Sequence, residues 1–557
     1  MIFRRWLAPK LRPFPPSFFF GVATADHQCE AAGPRQPGGQ PWPDDIRDVW
    51  ERDNNLVPRQ RATEFWTECF EDVKRAAALG CTAFRFSVAW SRVLPAPESP
   101  DEEAFDHYKQ LIAAIVAAKM KPVLTLHHYT WPLHVEQRGG MLADDFPDTF
   151  KQYATEVVKR LGENVDYWVT FNEPNHLPLG YLKFEWETAF HLPPGLAGTP
   201  DEQRARAAKV IRNLFLGNAY AYDVIKSAFP QAQVCANPWL MGLPRPLERM
   251  LDAHAKAPRG DQGGNASAAS LRANPLGDWA GIDVVSFLLL TVLVSVLGDL
   301  VIRSLRPVFR PILLAFQRVQ RAVRRAPTAD TAVVPAAAPA APSALPLPQA
   351  IWSLLLHPNQ YSIMLVLVIG HWWQLGLAGQ LSSYLCPPEC HGKQDFVGLD
   401  YYWGVKWYRM NRLSRLIHSL AGPFDQAPVW TRGLYNALTY HSELFRGKPI
   451  LVTENGNVDR TDGYTRERYI RDHLAEVQRA VATGVAVVGY LCWSITSNRE
   501  WGLPFVPGSD FGLYKIELDQ DPNLARTPTR AAEVYRTIIA GRTTEGVDPD
   551  AVGSAVK

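Results

Sequence analysis

The feature that most constrains this chain is an alternation of short apolar runs with longer helical patterns, carried through two stretches, about 18–240 and about 395–540. The runs are FFGVATA (19–25), FRFSVAW (84–90), PVLTLHH (122–128), YWVTFNE (167–173), AQVCANP (232–238), FVGLDYY (396–402), PILVTEN (449–455) and VVGYLCWS (487–494). Between them lie segments such as FWTECFEDVKRAAALG and HYKQLIAAIVAAKM, with apolar residues at three- and four-residue spacing. Strands separated by helices imply a parallel sheet with helical crossovers. Eight strands is the number that closes a (β/α)8 TIM barrel. The expected fold class is therefore α/β, with 15–240 and 396–542 as the two parts of one barrel and 543–557 as a C-terminal tail.

The region 241–395 breaks this rhythm. It contains two hydrophobic segments, 284–302 and 361–379, each approaching the length of a bilayer span. Between them, seven Arg fall in 303–325, and a Pro/Ala-rich stretch at 328–349 has too few large side chains to build a core. In the connector Ile312, Phe316, Val319 and Val323 share a helical face that Arg318, Arg321, Arg324 and Arg325 largely avoid, as a helix on an anionic membrane surface requires. The reading is a long hydrophobic helical insertion between strands 5 and 6, a membrane-associated hairpin with transmembrane-like helices. Buried helices or an oligomer contact are the bland alternative. The N-terminus has no apolar run of signal-peptide length, so the cytoplasmic face of the membrane is slightly preferred for the barrel.

Composition excludes several classes. With 47% hydrophobic and 20% charged residues the chain can bury a large core. Its net charge of +2, from 58 basic and 56 acidic residues, gives no field for nucleic acid. Seven Cys in 557 residues are no disulfide scaffold. Cys386, Cys390 and His391 form one cluster but lack a second ligand pair, so no metal is expected.

The chemistry sits at strand ends. TFNEP places Asn172 and Glu173 after the fourth strand, and VTENG places Glu454 after the seventh. Side chains at the C-terminal ends of barrel strands converge on one face, where two carboxyls are the equipment of glycoside hydrolysis. One attacks the anomeric carbon; the other protonates the leaving oxygen and then activates water. A single such Glu would more often be a strand-end ion-pair partner, but two in these contexts reverse the odds.

With these motifs the sequence resembles glycoside hydrolase family 1, the retaining β-glucosidase/β-galactosidase family. FFFGVATADHQCEAA, FRFSVAWSRVLP, TLHHYTWP, TFNEP, GLDYY, TENG and GYLCWSITSNREWG carry the resemblance over perhaps 400 residues. It implies Glu173 as acid/base and Glu454 as nucleophile, with Arg85 and Tyr402 supporting the nucleophile. It also implies Gln28, His128, Asn172, Trp493, Glu500 and Trp501 as sugar-binding residues, and it calls for no cofactor. The sequence departs from the family pattern at Tyr129 and Thr130, where Trp-Asp is frequent, at Asp400 for Asn, at Ser497 for an acid, and at Ala31 and Ala32. Glu500 is retained where 6-phospho-specific members lack the acid, so phosphorylated sugars are disfavoured. The expected activity is hydrolysis of β-glycosides, with glycolipids at a bilayer as a candidate substrate. The alternative is a transglycosylating glycolipid glycosyltransferase using the same covalent intermediate. A non-catalytic sugar-binding barrel is a third reading, opposed by the presence of both Glu173 and Glu454.

Overall fold

In a computed structural model, residues 11–31, 41–181, 192–242, 360–406, 415 and 424–551 are described. The strands are β1 (Phe19–Ala23), β2 (Ala83–Ser87), β3 (Lys121–His127), β4 (Tyr167–Asn172), β5 (Gln233–Asn237), β6 (Trp239–Gly242), β7 (Val397–Gly404), β8 (Ile450–Asn455) and β9 (Val487–Trp493). All nine belong to one parallel sheet, closed by β1 against β9 in a register running from Phe19 opposite Gly489 to Ala23 opposite Trp493. β5 pairs only with β4 and β6 only with β7, and Pro238 alone separates them. They are one barrel strand bent where proline lacks the N–H a ladder needs, so the architecture is the expected eight-stranded barrel.

Its floor is apolar. Phe19, Ala83, Val123, Val169, Cys235, Leu451 and Leu491, each from a different strand, pack together with Phe396, the residue before β7. Two residues further along, where the strand period returns the side chain inward, stand Arg85, Thr125, Asn237 and Thr453. The first core layer thus gives way to a polar layer facing the C-terminal ends of the strands. That change of character positions the site.

Crossover helices α1 (Phe65–Ala78), α2 (Glu102–Ala117), α3 (Phe146–Leu161), α4 (Pro200–Ala228), α5 (Gln360–Leu377), α6 (Thr431–Leu444), α7 (Arg466–Ala482) and α8 (Arg530–Gly541) follow successive barrel strands. Local signals set their ends. Asp101 caps α2 by accepting from the Ala104 N–H, and Thr199 forms a capping box with Glu202 at the start of α4. The buried face of α3 is Phe146, Phe150, Tyr153, Ala154, Val157, Val158 and Leu161, the spacing of an amphipathic helix.

Helix α5 corrects the sequence reading. It is the second hydrophobic segment, 361–379, expected to contact a bilayer, and it occupies the fifth helix position of the barrel. Trp373 stacks on Phe215 of α4 with ring centroids 4.3 Å apart, and His371 stacks on Tyr440 of α6 at 5.5 Å. Ile369, Trp372, Leu375 and Leu377 are buried in the main core. A Cβ on Gly376 would lie 2.5 Å from the Phe215 ring, so the helices meet as closely as a glycine allows. The apolar side chains from 369 onward are thus hidden by protein. Among the described residues no helix is long and apolar enough to cross a membrane, and the paired transmembrane hairpin is withdrawn. The other hydrophobic segment, 284–302, and the Arg-rich connector lie outside the described residues.

Beyond α8 the chain stays attached. The Thr544 hydroxyl donates to Gln478 Oε1 at 2.7 Å, and the Arg542 guanidinium donates to the carbonyls of Phe14 and Phe18 at 3.1 and 2.7 Å.

Candidate active site

The strand ends converge on a cavity of about 300 Å3, lined by Gln28, His128, Asn172, Glu173, Tyr402, Glu454, Trp493, Glu500 and Trp501 among others. These are nine of the ten site residues expected from sequence. The tenth, Arg85, is fully buried and reaches Glu454 from β2.

Arg85 is the hub. Its Nη1 donates to Glu454 Oε1 at 2.6 Å and to the Thr453 carbonyl at 3.2 Å, its Nη2 to Asn172 Oδ1 at 2.6 Å, and its Nε to Thr125 Oγ1 at 3.0 Å. The other oxygen of Glu454 accepts from the Tyr402 hydroxyl at 2.7 Å. Both carboxylate oxygens are therefore held by donors, which favours the anion. Burial works the other way and wins: Glu454 lies above the ordinary glutamate range despite Arg85 and Tyr402. Burial, with Glu454's charge behind it, also keeps the Tyr402 phenol protonated.

Backbone irregularities aim the two Glu. The β7–β8 and β8–β9 registers shift next to Glu454, and the β4–β5 register shifts between Val169 and Asn172. Strict alternation would set Thr453 and Glu454 on opposite faces; the irregularity brings both into the barrel. Glu173, Tyr129 and Trp501 have φ of +42°, +69° and +37°. Three side-chain-bearing residues in the left-handed region around one cavity mark a place where geometry for chemistry overrides local backbone preference.

A third carboxyl, Asp400, shares this space. One oxygen each of Glu173, Asp400 and Glu454 lie within 4.8 Å of one another. Asp400 accepts from Thr453 Oγ1 at 2.6 Å and from the Asn237 amide, which also donates to Asn172 Oδ1 at 2.8 Å. Burial and the charge of Glu454 push Asp400 well above the usual carboxylate range.

At the opposite wall Glu500 accepts from Gln28 Nε2 at 3.0 Å, Asn498 Nδ2 at 2.6 Å and Trp493 Nε1 at 3.4 Å. Burial pushes it up to about 7. His128 is held well below its usual value by burial and by Arg85, so its ring is neutral and offers one donor and one acceptor. The ring lies nearly parallel to Trp493, at 8° and 5.9 Å. Together these groups present directional polar atoms beside flat aromatic faces.

Several contributors were given no role from sequence. Tyr129 and His176 contact Glu173 directly. Arg47 lies over the Trp501 ring at 4.8 Å, above a buried network in which His27 bridges Asp45 at 3.0 Å and Glu51 at 3.2 Å, while Arg59 binds Asp48 at 2.6 Å. For this network the available signal was the density of charge in 44–61, which reads equally as a solvated loop. Of the departures noted in the sequence, Thr130 donates to Asp26 at 2.9 Å and Ser497 accepts from the Ile516 N–H at 2.9 Å.

A parallel barrel with two close carboxyls, one clamped by Arg and Tyr, beside a wall of polar and aromatic side chains defines a glycoside hydrolase acting on O-glycosyl bonds. Comparison with known proteins narrows this. The sequence model of glycosyl hydrolase family 1 matches residues 10–253 and 390–544, and the chain belongs to that family. It is 24% identical to Beta-glucosidase 4 of Oryza sativa subsp. japonica over 95% of each chain. It is also 24% identical to Lactase/phlorizin hydrolase of Homo sapiens over 94% of its own length, but spans only 24% of that longer protein. Beta-glucosidase from Thermotoga maritima, solved with methoxycarbonyl-substituted glucoimidazole, shares the fold with a TM-score of 0.59 at 19% identity, over 95% of this chain and 99% of the other.

Proposed function

We propose that this protein is a retaining β-glycosidase of the β-glucosidase/β-galactosidase type, with Glu454 as nucleophile and Glu173 as acid/base. The observation that carries the reading is the asymmetry of the carboxyl pair. The two approach within 4.8 Å, close to the roughly 5 Å separation of retaining enzymes and short of the roughly 6.5–9.5 Å of inverting ones. Each accepts from a phenol, but only Glu454 is also held by a guanidinium.

In the first step a carboxylate oxygen of Glu454 bonds to the anomeric carbon as the bond to the leaving oxygen breaks, and Glu173 gives that oxygen its proton. In the second, Glu173 takes a proton from water, the hydroxide oxygen bonds to the anomeric carbon, and Glu454 leaves as carboxylate. Neutralising Glu454 as an ester removes a negative charge beside Glu173 and suits Glu173 to its second role. Gln28, Glu500, His128 and Asn172 serve the sugar hydroxyls, and Trp493 with Trp501 the apolar ring faces. A phosphate near Glu500 would meet a carboxyl, which supports neutral sugars. The names of the relatives support glucosides and galactosides alike. Among the described residues nothing favours a lipid-linked substrate, or a lipid acceptor over water.

A 2-deoxy-2-fluoro-β-glucoside with an activated leaving group tests the assignment, because the fluorine slows the second step. The expected result is a stable adduct, one fluorosugar per chain, on the peptide containing Glu454. Labelling elsewhere, or inversion of anomeric configuration in the product, would sink it.

A further inference from the structure

We propose that Tyr129 and His176 form a two-donor clamp on one oxygen of Glu173, which confines the acidic proton to the other oxygen and makes both positioning residues of the proton-transfer step. This rests on the reading of Glu173 as acid/base.

The geometry is closed among three side chains. The Tyr129 hydroxyl donates to Glu173 Oε2; His176 Nδ1 lies 2.7 Å from the Tyr129 oxygen and 3.0 Å from the same Glu173 Oε2. A phenol has one proton, and here it goes to Glu173. The hydrogen between His176 and the pair must then be carried by Nδ1. Burial and the charge of Glu173 hold the Tyr129 phenol protonated, so it remains a donor. Oε2 thus accepts from the phenol and faces the Nδ1 hydrogen, which it shares with the nearer Tyr129 oxygen, and a proton placed on Oε2 would point at both. Oε1 has no partner among the described residues and remains for the substrate.

The arrangement is built in. Tyr129 and Glu173 both adopt positive φ, and the His176 N–H donates to the Glu173 carbonyl at 2.9 Å, wrapping the imidazole back onto the carboxyl. Trp501 packs edge-on against the Tyr129 ring at 4.8 Å. Among the described residues the charged and titratable groups around Glu173, besides the clamp itself, include Glu454 of β8, Asp400 and Tyr402 of β7, Arg85 of β2, His128 after β3, Glu500 after β9, and Arg47 beyond Tyr129. Removing a clamp donor takes away a hydrogen bond that the ionised carboxyl accepts and frees the proton of the acid to sit on either oxygen.

The experiment is the pH dependence of kcat/KM for Tyr129→Phe, His176→Leu and His176→Gln, with an alkyl β-glucoside, whose leaving group needs a proton, and a 2,4-dinitrophenyl β-glucoside, whose leaving group does not. Tyr129→Phe and His176→Leu should move the alkaline limb for the alkyl glucoside up by roughly one pH unit, and His176→Gln, which keeps a donor, should restore most of that shift. The loss at the optimum should be roughly tenfold greater for the alkyl than for the dinitrophenyl substrate. An unmoved or lowered limb, or equal losses on both substrates, overturns the inference. Glu173→Gln on the same pair separates the two levels. If it spares the alkyl glucoside, Glu173 is not the acid/base and the clamp falls with it; if it abolishes that turnover while the Tyr129→Phe limb stays in place, the clamp alone is refuted.

Discussion

Removing one hydroxyl from the shell of the proposed nucleophile should shift the pH at which the protein begins to work. Tyr402 donates to Glu454 Oε2 at 2.7 Å, and phenylalanine keeps the ring while deleting the donor. A hydrogen bond to a charged acceptor contributes about 1.5–3 kcal/mol, and about 1.4 kcal/mol corresponds to one pH unit, so the change is worth roughly one to two units. The sign is fixed by the form stabilised. Glu454 already sits above the ordinary glutamate range through burial, with Arg85 and Tyr402 pulling the other way. Loss of the hydroxyl raises it further. As the proposed nucleophile, Glu454 must be the anion, so the acid limb of kcat/KM for an aryl β-glucoside should move up in Tyr402→Phe by roughly one to two units. Below the new limb activity should fall about ten- to hundredfold relative to the parent, and the two curves should converge as pH rises past it. An acid limb that stays put or moves down, or a loss uniform across pH, would refute the reasoning.

Three further outcomes follow from other parts of the molecule. Trp373→Ala, at the α4–α5 contact, should cost about 3–5 kcal/mol in denaturant unfolding if α5 is a wall of the barrel; a change within about 0.5 kcal/mol would return α5 to an exposed or lipid-facing role. His27 is pulled down by burial but raised more by Asp45 and the bonds to Asp45 and Glu51, to about 9 against an ordinary 6.5. A raised base stabilises fully below its unfolded value and loses that contribution on the way up to its folded one, so about 3 kcal/mol should disappear between pH 6.5 and 9, and His27→Gln should flatten that slope. Glu500→Ser should narrow the preference for a glucoside over its 6-phosphate by roughly tenfold or more in kcat/KM, as a carboxyl facing the phosphate is removed; an unchanged ratio places the discrimination elsewhere.

The barrel was legible in the sequence because its signals are local. Each strand is a short run bounded by turns, and the motifs around Glu173 and Glu454 occupy a few consecutive residues. What misled was α5. Hydropathy reports that a side chain avoids water, not what replaces the water, and Trp372 and Trp373 suit a bilayer interface as well as the gap between α4 and α6. Glu454 shows a second limit: period-two counting sends it to the face opposite Thr453, and only the register shift between strands brings both inward. The clamp on Glu173 shows a third. His176 is three residues from Glu173 and could have been suspected, but Tyr129 is 44 positions away and joins them only through the neighbouring strand.

The break at Pro238 has a consequence for how the molecule could be divided. β5 pairs with β4, whereas β6, on the same side of residue 243, pairs with β7 of the second half, so the seam between the halves is a strand pairing as well as a cut in the chain. A cut anywhere in 243–359 would leave every described strand and helix whole, with Arg85 and Glu173 on one fragment and Tyr402, Glu454 and Glu500 on the other. Neither fragment would own a complete site, and the buried bond from Arg85 to Glu454 would span the division. Co-expressed as two chains, the halves would report their own reassembly, since turnover of a glycoside requires both.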